Sequence, residues 1–93
     1  MEFEWDEGKS ERNRLERELP FDLAILLFDG PTLERDDRRR DYGERRIVAT
    51  GEAVGRVLTC VYVDRTQDGM TVRRVVSLRV ASRKERQAYA DRA

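Results

Sequence analysis

The chain reads as one small α+β domain, and three observations lead there. Helical signals run through residues 6–28 and return after Ser82, strand-type alternation fills 44–80, and 93 residues allow one core but no second domain. Charged residues make up 41% of the chain, yet the apolar 39% is gathered into periodic runs, so the chain folds rather than staying disordered. The expected architecture is an N-terminal short strand and two helices packed on an antiparallel sheet of three further strands, closed by a short C-terminal helix.

Glu2 to Trp5 alternates polar and apolar residues, which predicts a strand with Phe3 and Trp5 on one face. Asp6 is a helix N-cap with Glu7 in the first turn, and the helix is expected to reach about Leu19, turning Leu15 and Leu19 inward. Pro20 ends it. From Phe21 to Phe28 the residues Phe21, Ala24, Ile25 and Phe28 keep the i, i+3, i+4, i+7 spacing. Leu23, Leu26 and Leu27 make this second helix apolar nearly all round, and Asp29-Gly30-Pro31 breaks it. Residues 34–46, the densest charge run, read as a solvated loop.

Three strands follow. Glu44 to Gly51 alternates, with Glu44, Arg46, Val48 and Thr50 on one face. After a turn at Gly55, Arg56 to Arg65 is apolar on both faces and predicts a central strand. Gln67-Asp68-Gly69 is a hairpin turn. In the last strand, Thr71 to Val80, parity places Val72, Val76, Leu78 and Val80 inward, with Arg74 the exception, and Thr71, Arg73, Val75, Ser77 and Arg79 outward. Ser82 with Glu85 forms a capping box for a final helix carrying Tyr89.

Charge is distributed unevenly. Residues 1–44 hold fourteen acids against eight bases, and residues 45–93 hold eleven bases against five acids, so a formal net charge of zero conceals halves of −6 and +6. A strand-rich basic half gathers arginines on a sheet face, the footprint expected for a phosphate backbone. Seventeen of the nineteen bases are Arg, which suits bidentate phosphate binding, although genomic base composition enriches Arg as well. There is no histidine, and Cys60 lies within an apolar run as a core residue, so neither a disulfide nor a zinc cluster is expected, and no metal or cofactor. Met1 to Asp6 is acidic without an apolar segment, and no run approaches the roughly 18–20 residues of a membrane span, so a cytoplasmic protein with no membrane association is expected.

If the polar strand faces coincide, Glu44, Arg46, Arg73, Ser77 and Arg79 come together, with Lys84, Arg86 and Tyr89 close behind. A carboxylate among guanidiniums suits RNA cleavage by the neighbouring 2′-hydroxyl. That reaction needs a base, for which Glu44 is the candidate, and cations for the charged phosphorane, for which Arg46, Arg79 and Arg73 are candidates. Tyr89 is a candidate for base stacking or proton donation. The competing account is that Glu44 pairs with an arginine across strands and that the arginines are ordinary solvated positions.

An ordered set of motifs adds to this. Phe3-x-Trp5-Asp6-x-x-Lys9-x-x-x-Asn13, Phe21, Phe28-Asp29-Gly30-Pro31, the DYGERR run at 41–46, Gly51, and Ser77-x-Arg79-x-Ala81-Ser82-Arg83-Lys84-Glu85-Arg86-x-x-Tyr89 together resemble the BrnT family of type II toxins. The resemblance implies a RelE-like ribonuclease that cuts RNA and stalls translation. It implies neutralisation by a BrnA-type antitoxin with a ribbon-helix-helix domain, a heterotetramer, and operator DNA contacted only through the antitoxin. Glu44, Arg46, Ser77 and Arg79 carry over as catalytic candidates, and Arg65, Arg73, Lys84, Arg86 and Tyr89 as RNA-binding ones. Two places depart from the family pattern. Glu16, Arg17 and Glu18 stand where Lys-His-Gly is usual, and Val80 where a basic residue is common. An antitoxin packed on the second helix accounts for its apolar surface, with Leu23, Leu26 and Leu27 expected to meet the partner or the first helix and Phe21, Ile25 and Phe28 the core. Three functions therefore compete: a metal-independent endoribonuclease, a catalytically weak toxin homologue serving as antitoxin partner and co-repressor, and a plain RNA-binding module.

Overall fold

A computed structural model describes residues 1–92. Its elements in chain order are β1 (Glu2–Glu4), α1 (Glu7–Arg17), α2 (Leu23–Leu27), β2 (Thr32–Asp36), β3 (Ile47–Ala53), β4 (Arg56–Gln67), β5 (Met70–Val80) and α3 (Arg83–Ala90). The α+β class is as expected, but the sheet is larger and mixed: five strands in the order β1-β5-β4-β3-β2, antiparallel except that β1 runs parallel to β5. The added strand is β2. Its sequence, TLERD, is mostly exposed because β2 is an edge, and a charged edge strand resists pairing with other chains while hiding its alternation inside a charge run.

One face of the sheet carries α1 and α2. Ala49, Ala53, Leu58, Cys60, Tyr62, Val75 and Leu78 from the strands meet Leu19, Phe21, Ala24 and Leu27 in the buried core, with Phe3, Trp5, Leu23 and Phe28 around it. Cys60 is fully buried, and burial pushes its thiol up to about 12, so it is an unreactive core residue.

The helices attach differently from what their spacing suggests. α1 ends at Arg17, with Glu18 as a left-handed cap at φ 59°, and Leu15 is 69% exposed. Polar groups fasten α1: Asn13 Nδ2 donates to the carbonyls of Leu19 (2.6 Å) and Leu78 (2.9 Å), and Ser10 Oγ accepts from the Phe21 amide (2.9 Å). α2 is shorter than the expected 21–28, and its roles are partly exchanged. Leu27 is completely buried and packs over Gly51, whose missing Cβ would stand 3.0 Å from Leu27 Cγ, while Ile25 is 44% exposed. Leu27 is therefore a core residue and not part of a partner surface. Leu26, 49% exposed, is at the surface, and Leu23 is half-buried against the core.

Simple parity in β5 is broken by a bulge. Tyr62 pairs with Val75 and Val61 with Ser77, which leaves Val76 unpaired. Ser77 and Arg79 keep the face opposite the helices, whereas Val75 and Arg73 fall on the helical face and Arg74 joins Ser77. The expected inward and outward sets are thus exchanged below the bulge. The hairpin at Asp68-Gly69 forms as expected, both residues having positive φ (52° and 77°).

Candidate functional site

The face opposite α1 and α2 is open over much of its area, with α3 across one end. Cross-strand register lays it out in tiers. Leu33, Thr50, Thr59 and Arg79 form the first, and Arg35, Val48, Val61 and Ser77 the second. Arg46, Val63, Arg74 and Glu4 form the third, Arg46 entering through the Asp37 amide that donates to its carbonyl at 2.9 Å. Arg65, Val72 and Glu2 complete it. The floor of valines and threonines is buried, and the rim is arginine. Aliphatic arginine stems cover apolar floor while the guanidiniums stay at the surface.

Two charge clusters stand at opposite ends of this face. At one end Glu44 lies between two cations, with Arg46 Nε 3.3 Å from Oε2 and Arg65 Nη2 3.9 Å from Oε1. Arg46 also stacks on the Tyr42 ring at 4.0 Å, so the aromatic fixes the guanidinium that faces Glu44. Glu44 precedes β3 instead of starting it, in the bend after Gly43. That bend is anchored by Asp37, whose buried carboxylate takes a bidentate fork from Arg39 (2.9 Å to each oxygen), which holds it down to about 2 with help from the Arg39 amide and the Tyr42 hydroxyl.

At the other end Arg79 forks onto Glu85 at 2.6 and 3.0 Å, and Arg35 approaches the same carboxylate at 3.4 Å. Glu85 also closes the α3 capping box with Ser82. Arg79 foremost, then the Ser82 amide, holds the Glu85 carboxyl down to about 2. A carboxylate so stabilised is a fixed anion and a poor proton acceptor. Beside this pair, Leu33, Val48, Thr50, Lys84 and Ala88 line a groove between the sheet and α3.

Of the residues singled out from sequence, Arg46, Arg65, Ser77 and Arg79 do share one face, with Glu44 at its edge and Lys84 at its rim. Three do not join them. Arg73 lies on the helical face, forked onto Asp64 (2.8 and 2.9 Å) and stacked on Tyr62 (3.9 Å) and Phe28 (4.6 Å), because the bulge reverses its side. Tyr89 is 5% exposed and donates its hydroxyl to the Pro31 carbonyl at 2.8 Å, so it locks α3 to the start of β2 and has no free face for a base. Arg86 points to that same far side, donating to the Ala81 carbonyl at 2.7 Å. Sequence reasoning missed Glu4, Arg35, Arg74 and Tyr42. Arg74 did stand out as the charged exception in an apolar set, which was the trace of the bulge.

Among the described residues, no group of three or more Asp, Glu or Cys is placed to hold a metal ion, and no helix is long and apolar enough to cross a membrane. Fold and face together define a small single-sheet α+β domain that presents an arginine-rimmed surface with interspersed carboxylates. A family described as the ribonuclease toxin, BrnT, of type II toxin-antitoxin systems matches residues 5–85, and the chain belongs to that family. No curated protein matches it.

Proposed function

We propose that this protein is a metal-independent endoribonuclease that cleaves RNA on its open sheet face and so inhibits translation. Family membership supports the ribonuclease class, and the observation that carries the assignment to this face is Glu44 held between Arg46 and Arg65. In this reading Glu44 takes the proton of a 2′-hydroxyl, the 2′-oxygen bonds to the adjacent phosphorus, and the P–O5′ bond breaks. The products are a 2′,3′-cyclic phosphate and a 5′-hydroxyl, whose proton comes from water reaching the open face. Arg46 and Arg65 stabilise the charged phosphorane. Arg79 and Lys84, at the far end with Ser77 between, hold the chain beyond the cut. Arg46 and Arg79 sit two tiers apart, roughly 13 Å along the strands at about 3.3 Å per residue, with their guanidiniums turned to Glu44 and Glu85, so in this reading they serve different phosphates.

The same reading includes an antitoxin of the BrnA type with a ribbon-helix-helix domain, assembled as a heterotetramer that meets operator DNA through the antitoxin. Exposed Leu26, with half-buried Leu23, offers it apolar surface on α2. A second reading, the catalytically weak partner protein, is favoured by Arg17 standing where the family pattern has His. Arg17 Nη1 reaches the Leu78 carbonyl (3.5 Å) at the outer edge of β5, which leaves a fixed cation there and no titratable group.

Induction of the chain in a bacterial culture tests these readings together. Growth arrest with new RNA ends that fade in Arg79→Ala supports the enzyme. Normal growth and intact RNA from a folded, soluble chain supports the partner protein.

A further inference from the structure

Among the described residues, Glu4 Oε1 is the one buried side-chain polar atom without a hydrogen bond. Two cations stand just beyond hydrogen-bonding range of that same oxygen, Arg74 Nη1 at 3.8 Å and Arg65 Nη1 at 3.9 Å. Their placement follows from register. Parallel pairing of β1 sets Glu4 beside Arg74, and Arg65 lies across from Val72 on the adjoining tier. Two guanidiniums converging on one point repel each other unless an anion lies between them, and here the anion is a single carboxylate that bonds to neither. A phosphodiester carries its charge on oxygens that match the guanidinium fork and offers acceptors to both arginines at once.

We propose that Arg65 and Arg74, gathered by Glu4, form a phosphodiester subsite at the β1 end of the open face, where Glu4 is a stand-in anion that a backbone phosphate of bound RNA displaces. The identity of the ligand rests on the RNA reading above. Arg65 is shared with the reacting site, since its other terminal nitrogen faces Glu44 at 3.9 Å. The phosphate bound here therefore belongs to a neighbouring nucleotide, and Arg65 couples its capture to the groups around the scissile bond.

The test is the affinity of the intact chain for a short single-stranded RNA, fully 2′-O-methylated and so uncleavable, measured across a salt series. Arg74→Ala is expected to weaken binding about tenfold and to lower the slope of log affinity against log salt by about 0.7, the value for one phosphate contact on a single strand. Glu4→Gln is expected to tighten binding severalfold, because the competing anion is gone. Glu2→Gln, the same charge change two residues earlier on the same face, is expected to move affinity less than about twofold. Weaker binding by Glu4→Gln would make Glu4 merely structural, and an equal gain in Glu2→Gln would reduce the effect to overall charge; either overturns the subsite, as does an unchanged slope in Arg74→Ala. Should Glu4→Gln fail to fold by thermal melt, the Arg74→Ala slope alone decides. RNA bound with this pattern but left uncut in its 2′-hydroxyl form would remove the ribonuclease reading and leave the subsite standing.

Discussion

Glu85 serves two ends at once, closing the capping box of α3 and forking onto Arg79, so the last helix and the rim of the open face are secured by one carboxylate. Asp37 does the same for the bend that carries Glu44. Both carboxyls titrate near 2 in the fold, against ordinary values of 4.5 and 3.8, so each binds its proton more weakly when folded than when unfolded. The sign is that of a depressed acid: the stabilisation is complete above about pH 4.5 and is lost as pH falls toward 2. The melting temperature is accordingly expected to drop across that window. Glu85→Gln should flatten part of the drop while costing about 1–2 kcal/mol at neutral pH, checked by thermal unfolding at a series of pH values. A second residue-scale effect sits at Glu18, a non-glycine helix cap at φ 59°. Glu18→Gly is expected to stabilise by about 1 kcal/mol, raising the melting temperature by about 4–8 °C for a domain of this size.

At the scale of elements, α1 is held through its polar side chains. Asn13→Ala removes the amide that bridges the Leu78 and Leu19 carbonyls and is expected to cost about 1–3 kcal/mol, whereas Leu15→Lys, on an exposed surface, should stay within about 0.5 kcal/mol; denaturant unfolding of the two variants checks the contrast. Periodicity could not anticipate this, because an apolar stripe is visible in sequence and a side-chain hydrogen bond to a distant carbonyl is not. The same distinction explains the other differences. The capping box, the Asp-Gly hairpin and the central apolar strand follow from local chemistry, and all were legible. β2 was hidden because a charged edge strand has no buried side to reveal, and the parallel β1–β5 pairing because it joins the two ends of the chain. The bulge at Val76 depends on β4 as its partner, so strand alternation alone assigned Arg73 and Arg74 to the wrong faces.

Over the whole molecule, the division of charge between the two halves becomes a division between faces only in part. The open face collects Arg35, Arg46, Arg65, Arg74 and Arg79, but Glu4, Glu44 and Glu85 stand among them, so the surface is a pattern of paired charges and not a uniform basic patch. On the proposed RNA reading these paired charges bind phosphate by exchange: an incoming anion competes with a resident carboxylate, and the carboxylate it frees is positioned beside it. In the proposed mechanism the carboxylate freed at the Glu44 end is the base. That Arg46, Ser77 and Arg79 share one face was legible from strand alternation, whereas Arg65 was singled out by the motif alone and Glu44 precedes the strand in which alternation placed it. The places of Tyr89 and Arg73 were not legible, because a buried hydroxyl contact and a bulge decide their roles.

In the proposed reaction Glu44 does the chemistry on this face. Single-turnover cleavage of a defined RNA by the purified chain in excess EDTA, compared with Glu44→Gln, decides whether it does. Cleavage by the natural chain to 2′,3′-cyclic phosphate ends is expected, slowed at least about 100-fold in Glu44→Gln, with the variant binding uncleavable RNA at least as tightly. Cleavage by Glu44→Gln at the unaltered rate, or RNA left intact by the natural chain, would contradict the proposed reaction.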